Sequence, residues 1–395
     1  MRGLLKKVNV ERRIPYPPAA RNKAPRTWIA VLAAVCLLGG MAASADEGYR
    51  KVDGPCGLTF PGDHGAHRQF KTEWWYYTGN LQSDAGKPFG FQLTFFRTAL
   101  RPPTSQAEDR PRSAWRTAQL FIGHAAITDV DRQTHLHAET AAREALDMAG
   151  VRTVQQTTTV FVRKWHADID PRRHLLLADA ENFSLDLALT PTKPAVRHGR
   201  DGYSRKGTGP ERASCYYSFT RLAAEGKIRI EDRALHVSGS AWMDHEFSTA
   251  PLEPGLVGWD WFSLQLSDRT ELMVYLLREK DGTVHPASSG TFVDAAGRPI
   301  DLKGEQFSVQ VLDRWQSPES GADYPVAWRL SVTALNLTLV VRARVRDQEM
   351  DTRQTTGVVY WEGSVSAEGT AADRAVSGSG YVELTGYARP FDAPM

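Results

Sequence analysis

Three consecutive ionisable residues, Asp244-His245-Glu246, form the sharpest chemical feature of the sequence, and a further acid, Asp260, lies between Trp259 and Trp261. Burial among tryptophan rings raises the pKa of a carboxylic acid, so that the group stays protonated near neutrality. Such an acid can protonate a C=C bond, and the negative faces of neighbouring rings can stabilise the resulting cation. These residues are therefore candidates for an acid/base site.

A structural interpretation of the same residues is open as well. Side chains alternate along a strand, so Asp260 would face away from Trp259 and Trp261. If these tryptophans point into a cavity, the carboxylate points out of it. Asp244 and His245 would then tie two halves of the protein together by hydrogen bonds, since buried polar groups need partners.

Aromatic residues provide the second chemical feature, because 11 of the 395 residues are Trp. Alternation places Trp74 and Tyr76 on one face of a strand, and Trp75 and Tyr77 on the other. Whichever face points inward, the cavity is aromatic, and large rigid rings suit an apolar ligand. The expected ligand-binding set is Trp74, Trp75, Tyr76, Tyr77, Trp242, Trp259 and Trp261. Arg205, in a glycine-flanked loop, is either a contact for an anionic head group or a solvated loop residue.

Other chemistries lack their sequence signatures. His135 and His137 alternate on one strand, and His64 and His67 share a loop, but neither pair belongs to an HExxH or Cys-x-x-Cys pattern. The sequence has no Gly-x-Ser-x-Gly nucleophile elbow and no glycine-rich phosphate loop. We therefore expect neither a metal nor a cofactor.

The residues that must position these groups follow a strand pattern. Apolar residues alternate through Phe89–Phe95, Phe183–Leu189 and Phe307–Val311, and turn residues separate such runs. Many short strands with regular turns indicate an all-β sandwich or barrel. Ala141–Gly150 is the one segment with a fair helical pattern.

A repeat at long offset predicts two similar domains. Trp74–Leu81 resembles Trp259–Leu266, and Gly123–Asp129 resembles Gly290–Asp294 at a similar offset. Closing each half into an antiparallel β-barrel removes the exposed sheet edges and can enclose one small ligand.

The boundary between the two halves is expected near Gly226–Leu235, where a polar turn occurs. This gives an N-terminal barrel of residues 46–235 and a C-terminal barrel of residues 236–395. A later boundary, within Pro251–Gly255, is the alternative.

The first 45 residues have the features of a secretory signal peptide. Residues 2–26 hold eight Lys/Arg and one acid, followed by an apolar run from Trp28 to Met41 and by Ala43-Ser44-Ala45. The run is shorter than the roughly 20 apolar residues of a membrane span, although an uncleaved anchor is the alternative. We expect cleavage after Ala45 and a periplasmic or secreted protein.

Removal of this leader changes the charge of the chain. The whole sequence has 48 basic and 46 acidic residues, whereas the part after residue 45 has 40 and 45. Nucleic-acid binding depends on clustered positive charge, so we expect no nucleic-acid partner. Two cysteines remain, Cys56 and Cys215. An even count in an oxidising compartment suggests a disulfide, with two unpaired buried thiols as the alternative.

A series of motifs in the mature chain resembles the hydroxyneurosporene synthase (carotenoid 1,2-hydratase)/AttH-like family. The motifs occur in order along nearly the whole mature chain: Glu73–Leu81, Gly202–Gly207, Tyr216–Arg221, Ala241–Phe247, Gly258–Trp261, Tyr360–Gly363 and Gly380–Tyr387. The resemblance implies two tandem lipocalin-like antiparallel β-barrels, and the secreted AttH-like branch fits best. Known members of the family include carotenoid 1,2-hydratases, an isoflavonoid hydratase and Diels–Alderases.

The resemblance also implies a role for the ionisable cluster. Carotenoid hydratases have an Asp-His pair at the place of Asp244-His245, which makes His245 a catalytic acid/base or its orienting partner. Phe247 departs from the pattern, because hydratases tend to have Trp there. The resemblance therefore fixes the fold better than the reaction.

Two functions follow from these observations. We expect an exported protein that binds a hydrophobic lipid- or isoprenoid-like ligand, with envelope ABC-transporter components as candidate partners. The alternative is a hydratase- or lyase-type enzyme that adds water to a C=C bond by acid catalysis, with Asp244, His245, Glu246 and Asp260 as its catalytic candidates.

Overall fold

The computed structural model describes residues 48–103, 118–250 and 252–391, and these residues are almost entirely β-structure. The predicted signal peptide lies outside the described residues. Three short 3-10 helices are present, at Gly62–His64, Gly304–Gln306 and Thr333–Leu335. No helix in the described ranges has the length and apolar character that crossing a membrane requires. The prediction of an all-β fold is confirmed.

Thirteen strands form the first sheet, in the order β4-β3-β2-β1-β13-β12-β9-β8-β7-β6-β5, with β10 and β11 paired to β12. Their bounds are β1 Thr72–Ser83, β2 Pro88–Ala99, β3 Gln119–Asp129, β4 Thr134–Arg143, β5 Ala149–Val154, β6 Thr157–Val162, β7 Trp165–Asp170, β8 Arg173–Asp179, β9 Phe183–Pro191, β10 Val196–Arg197, β11 Tyr203–Arg205, β12 Ala213–Ile230 and β13 Arg233–Ser248. The end strands β4 and β5 are consecutive in the chain, β3 contacts β5 and β6, and β4 contacts β6. The sheet therefore curls into a nearly closed barrel.

Ten strands form the second sheet, in the order β17-β16-β15-β14-β23-β22-β20-β19-β18, with β21 paired to β22. Their bounds are β14 Leu256–Leu266, β15 Glu271–Glu279, β16 Ser289–Val293, β17 Pro299–Lys303, β18 Phe307–Gln316, β19 Asp323–Val332, β20 Leu337–Ala343, β21 Glu349–Thr352, β22 Val358–Ala371 and β23 Arg374–Leu384. Its end strands, β17 and β18, are again consecutive and are joined by the 3-10 helix Gly304–Gln306.

The two sheets share one connectivity. In each, four strands run in chain order to an edge, and the first of them pairs with the last strand of the sheet, β1 with β13 and β14 with β23. The similar segments Trp74–Leu81 and Trp259–Leu266 occupy the equivalent strands β1 and β14. The chain is thus a tandem of two lipocalin-like antiparallel barrels.

Two sequence expectations need correction. Ala141–Gly150 is not a helix, because β4 continues to Arg143, pairs with β3 along its length, and gives way to a turn and to β5 from Ala149. The boundary at residue 235 is too early, because β13 pairs with β1 and β12 of the first sheet as far as Ser248. The change of sheet lies between Ser248 and Leu256, at the later of the two expected positions.

Strand alternation gives each sheet an inner and an outer face. The inner faces carry the two main apolar cores. The outer faces of β1, β2 and β12 contact β23, β22 and β14 of the second sheet. We call this interface, together with the outer face of β13, the seam. A third cluster of buried aromatic and apolar side chains fills part of it.

Buried ion pairs connect the two sheets at one end of the seam. Glu271 of β15 is fully buried and accepts hydrogen bonds from Lys193 Nζ at 2.7 Å and from Arg221 Nε at 2.5 Å. Lys193 follows β9 and Arg221 lies on β12, so both cations come from the first sheet. This pairing fixes the position of one barrel against the other.

A disulfide joins Cys56 to Cys215, with Cα atoms 5.8 Å apart and a sequence separation of 159. It attaches the segment before β1 to β12. That segment carries His64 and His67, whose side chains are hydrogen-bonded to Tyr217 and Glu73 in the first barrel.

We predict that the double variant Cys56→Ser/Cys215→Ser has a free energy of unfolding about 2–5 kcal/mol lower than that of the oxidised wild type, because the open chain gains conformational freedom when it unfolds. Urea unfolding with and without reductant measures this difference. Reductant should destabilise the wild type and leave the variant unchanged. Equal stability of the oxidised wild type and the variant would contradict the prediction.

Candidate functional site

Strand β13 divides the Asp244-His245-Glu246 cluster between two environments. The register places Asp244 opposite Tyr76 and Ser218, and places His245 opposite Trp75 and Tyr217. Alternation therefore directs Asp244 and Glu246 into the seam and His245 into the first barrel. The three residues cannot act together as one catalytic group.

His245 belongs to a polar network inside the first barrel. Its Nε2 lies 2.9 Å from Glu73 Oε1 and its Nδ1 lies 3.0 Å from the Tyr217 hydroxyl. Glu73, with no exposed surface, also contacts His67 Nδ1 at 2.8 Å and accepts a hydrogen bond from Arg97 Nε at 2.8 Å. Arg97, His67 and Tyr217 were not predicted from the sequence as members of this network.

The charges of this network compensate one another. Burial alone would raise the pKa of Glu73, but hydrogen bonds from His245 and His67 and the charge of Arg97 hold it well below its usual range. Burial lowers the pKa of His67, yet its hydrogen bonds to Asp63 and Glu73 prevail and raise it to about 9. The network is thus a set of paired charges that anchors the segment before β1.

Three of its ligand atoms lie close enough to be compared with a metal site. One atom each of His67, Glu73 and His245 falls within a 4.8 Å group, and imidazole with carboxylate suits several divalent metals. However, both imidazoles are hydrogen-bonded to the same Glu73 oxygen, and the fixed charge of Arg97 disfavours a second cation beside it. We therefore assign the group a structural role.

Apart from Glu271 at one end, the described part of the seam holds a group of acids near Asp244, which we call the seam acids: Asp244, Glu246, Glu362 and Glu383. Asp244 is 3% exposed, and its Oδ1 accepts hydrogen bonds from Ser218 Oγ and, at 2.7 Å, from Trp242 Nε1. Tyr216 also faces this carboxyl group, and Trp261 Nε1 donates to the Tyr216 hydroxyl at 3.2 Å. Indole and phenol rings therefore surround a buried carboxyl group.

Two of the seam acids come from the second sheet. Glu362 on β22 and Glu383 on β23 are directly paired across neighbouring strands, so their side chains share one face. The hydroxyl of Tyr76, on β1 of the first sheet, donates a hydrogen bond to Glu362. Glu362 is buried, whereas Glu383 is half-buried.

This environment favours the protonated form of three seam acids. Burial raises the pKa of Asp244 to about 7, and the charge of Glu246 adds to the effect. Burial likewise raises the pKa of Glu383 to about 8. Burial and the neighbouring Glu383 raise the pKa of Glu362 well above its usual range. Near neutral pH the seam therefore holds carboxylic acids that can donate a proton.

Lys206 lies at the edge of this group. Its Nζ is 3.1 Å from Glu246 Oε1 and lies 4.0 Å from the ring centroid of Tyr275 and 5.0 Å from that of Tyr216. Its side chain is 25% exposed, and Trp74, Trp259 and Glu383 are also partly exposed. Solvent therefore reaches the seam acids on this side.

The predicted aromatic residues are divided between the seam and the core of the first barrel, as Asp244 and His245 are. Trp74, Tyr76, Trp242, Trp259 and Trp261 pack together in the seam. Trp75 and Tyr77 are fully buried in the core of the first barrel. Both faces of β1 are thus aromatic, but only the outer face meets the seam acids.

Asp260 and Arg205 lie outside the group of seam acids. Asp260 accepts a hydrogen bond from Arg278 Nε at 2.8 Å and contacts the Tyr387 hydroxyl at 3.0 and 3.1 Å. It faces away from Trp259 and Trp261, and its partners make it a structural ion pair of the second barrel. The Arg205 guanidinium donates to backbone carbonyls of its own loop, at Gly207 and Thr208, and does not extend towards the seam.

Glu362 and Glu383 were not predicted from the sequence as site residues. Glu362 and Glu383 lie inside two of the family motifs, Tyr360–Gly363 and Gly380–Tyr387. An acid directly after apolar and aromatic residues, in Tyr360-Trp361-Glu362 and Tyr381-Val382-Glu383, was the signal that could have found them. The proximity of these acids to Asp244 depends on the packing of two sheets, which strand periodicity does not specify.

Comparisons with known proteins agree with this architecture. The sequence profile of the AttH-like family matches residues 51–387. The crystal structure of a candidate AttH protein from Nitrosomonas europaea is 36% identical, with a TM-score of 0.75, and the match covers 86% of this chain and 99% of that one. Kievitone hydratase from Nectria haematococca is 14% identical, with a TM-score of 0.65 and coverage of 86% and 96%, which shows a common fold. No curated protein matches the sequence.

Protonation of Asp244 makes stability depend on pH. The folded protein keeps this proton up to about pH 7, whereas an aspartate in an unfolded chain loses it near about pH 4. Between these values the folded state binds the extra proton, so this contribution to the free energy of unfolding falls by about 1.4 kcal/mol per pH unit as pH rises. We predict that Asp244→Asn lacks this slope in urea unfolding.

The free energy of unfolding of Asp244→Asn should therefore increase relative to that of the wild type as pH rises. The difference between the two should become constant above about pH 7. Asp84→Asn, in an exposed turn, is the matched control for removal of a charge. A difference that does not change with pH would show that Asp244 is ionised throughout.

The structural role of His245 gives a separate prediction. His245→Ala leaves the buried charge of Glu73 without one partner, and we expect the free energy of unfolding to fall by about 3–5 kcal/mol. His236→Ala, at an exposed position of the same strand, is the control. A loss as small as that of the control would argue against a stabilising network.

Proposed function

The chain belongs to the AttH-like family, and from this premise we propose that it is a hydratase- or lyase-type enzyme whose active site is the seam. Its substrate is a small, mainly apolar molecule with a C=C bond, or the alcohol that hydration of such a bond gives. One observation carries the proposal: Asp244 is a buried acid with a pKa raised to about 7, enclosed by aromatic rings.

The chemistry begins with proton transfer from the Asp244 carboxyl group to one carbon of the C=C bond. The π electrons form the new C–H bond, and the O–H bond of the acid breaks. The neighbouring carbon becomes cationic, and the rings of Tyr76, Trp242 and Trp261 can stabilise that charge through their faces. Water then attacks this carbon.

The added water must lose one proton to complete the hydration, and one proton must return to Asp244 before the next turnover. A carboxylate of the seam accepts the proton from the water, and Glu246 is suited to this step because it lies beside the partly exposed Lys206. The same steps in reverse protonate a hydroxyl group and eliminate water. Such proton transfers by positioned carboxyl groups contribute about 10²–10⁴-fold to a rate.

The carrier hypothesis would need an apolar cavity inside a barrel. Within the described part of the chain, the inner faces of both barrels are packed cores. Two pockets of about 170 and 390 Å³ occur, one lined by residues around Glu144–Arg152 and one around Leu266 and Ser379, and no seam acid lines either. Neither pocket supports a carrier cavity, and the hydratase alternative rests on the buried seam acids rather than on a pocket.

Export is a second part of the proposal. We propose that the predicted signal peptide directs residues 46–395 to the periplasm or beyond, where hydrophobic molecules and envelope ABC-transporter components would be within reach. The Cys56–Cys215 disulfide supports an oxidising compartment. Mass spectrometry of the mature N-terminus tests this part, and an intact residue 1 in the native protein would contradict it.

Turnover can be tested with a mixture of candidate substrates. The mature protein is incubated with the apolar fraction of a cell extract in water labelled with heavy oxygen, and mass spectrometry identifies compounds that gain or lose one water. We expect the wild type to convert a compound and Asp244→Asn to reduce the rate at least about 100-fold, since it removes the proton donor.

Asp260→Asn is the matched control, because Asp260 is also a buried acid but pairs with Arg278 outside the seam. This variant should keep its rate within a few-fold once the fraction of folded protein is taken into account. Equal loss of activity in both variants would contradict the assignment of Asp244. The absence of any conversion by the wild type would contradict the proposed enzyme.

A further inference from the structure

An unbroken chain of side-chain hydrogen bonds ends on Asp244. His198 Nδ1 lies 2.8 Å from Thr291 Oγ1, and His198 Nε2 lies 2.6 Å from Ser218 Oγ. Ser218 Oγ is in turn hydrogen-bonded to Asp244 Oδ1. Each of the four residues is at most 3% exposed. The chain crosses the seam, since Thr291 lies on β16 of the second sheet and Ser218 on β12 of the first.

The direction of every bond in this chain follows from Oδ1 of Asp244. Trp242 Nε1 can only donate, and it lies 2.7 Å from this oxygen, so Oδ1 is an acceptor. When Asp244 is ionised its carboxylate has no proton to donate, so the Ser218 hydroxyl must donate its proton to Oδ1. The lone pairs of Ser218 Oγ then accept the N–H of His198 Nε2, which leaves Nδ1 as the unprotonated nitrogen that accepts the hydroxyl proton of Thr291.

A chain in which every hydrogen bond is donated in the same direction needs a neutral imidazole, because a protonated imidazole donates from both nitrogens. Burial, assisted by the nearby charge of Lys206, lowers the pKa of His198 to about 3. The imidazole is thus neutral throughout the range in which Asp244 titrates, and its two ring nitrogens are hydrogen-bonded to Ser218 and Thr291.

We propose that Thr291, His198 and Ser218 are positioning residues that reserve Oδ1 of Asp244 as an acceptor and so leave the transferable proton on Oδ2. The inference rests on the proposed function, because it names which oxygen of the catalytic acid delivers the proton. It adds three residues to the site that act through Asp244.

The test follows the ionisation of Asp244 itself and needs no substrate. The infrared carbonyl band of the protonated carboxyl group is recorded against pH, and Asp244→Asn identifies the contribution of this residue. The other titratable groups that face or surround Asp244 are kept in every variant: Tyr76, Lys206, Tyr216, Glu246, Glu362 and Glu383.

Ser218→Ala removes a hydrogen bond that favours the ionised form of Asp244, so the midpoint should rise by about one pH unit or more. His198→Ala should raise it less, because Ser218 remains but loses its fixed orientation. The double variant should rise no further than Ser218→Ala alone, since His198 acts through Ser218. Ser214→Ala, a buried serine of the same strand whose hydroxyl contacts no partner, is the control and should not move the midpoint.

Thr291→Val provides a second route if His198→Ala does not fold. It frees the imidazole to accept from Ser218, so the midpoint should again rise, and not beyond that of Ser218→Ala. An unchanged midpoint in folded Ser218→Ala, or additive shifts in the double variant, would overturn the inference. If the variants show the expected shifts in the Asp244 midpoint but the wild type converts no compound, the inference is upheld and the proposed enzyme is contradicted.

Discussion

Alternation of side chains along β13 is the constraint on which the rest of the structure depends. One residue step directs His245 into the first barrel, and the next directs Glu246 into the seam beside Asp244. Because β13 is held between β1 and β12, a slip in register would exchange the two faces and bury the wrong set. The pairing of these three long strands therefore sets both the fold of the first barrel and the composition of the seam.

The first barrel's interior lowers the pKa of the buried Glu73 carboxyl group, whereas the seam raises that of the buried Asp244 carboxyl group. Inside the barrel, Arg97 and two histidines hold Glu73 in its ionised form, and the result is stability. In the seam, Asp244 is hydrogen-bonded to the neutral side chains of Ser218, Trp242 and Tyr216, and burial raises its pKa. Position relative to fixed positive charge thus distinguishes a structural acid from a group that can donate a proton near neutrality.

Period-2 patterns and the repeat of Trp74–Leu81 at Trp259–Leu266 were sufficient to predict a tandem all-β fold, because both are local properties of strands. The helix expected at Ala141–Gly150 fails because pairing with β3 outweighs local helix propensity. Asp244 was predicted as a site residue, but its companions Glu362 and Glu383 were not. Their contribution arises where two sheets meet more than a hundred residues later in the chain, and no local pattern encodes that meeting.

The location of the bound ligand distinguishes a site in the seam from a site inside a barrel most directly. Crystals of the protein, grown after incubation with the apolar fraction of a cell extract, would show where a captured molecule binds. We predict electron density in the seam, in contact with Asp244 and the ring of Trp242 or Trp261. Density inside the first barrel, against Tyr217 and His245, would contradict a site in the seam and would restore the barrel cavity as the functional site.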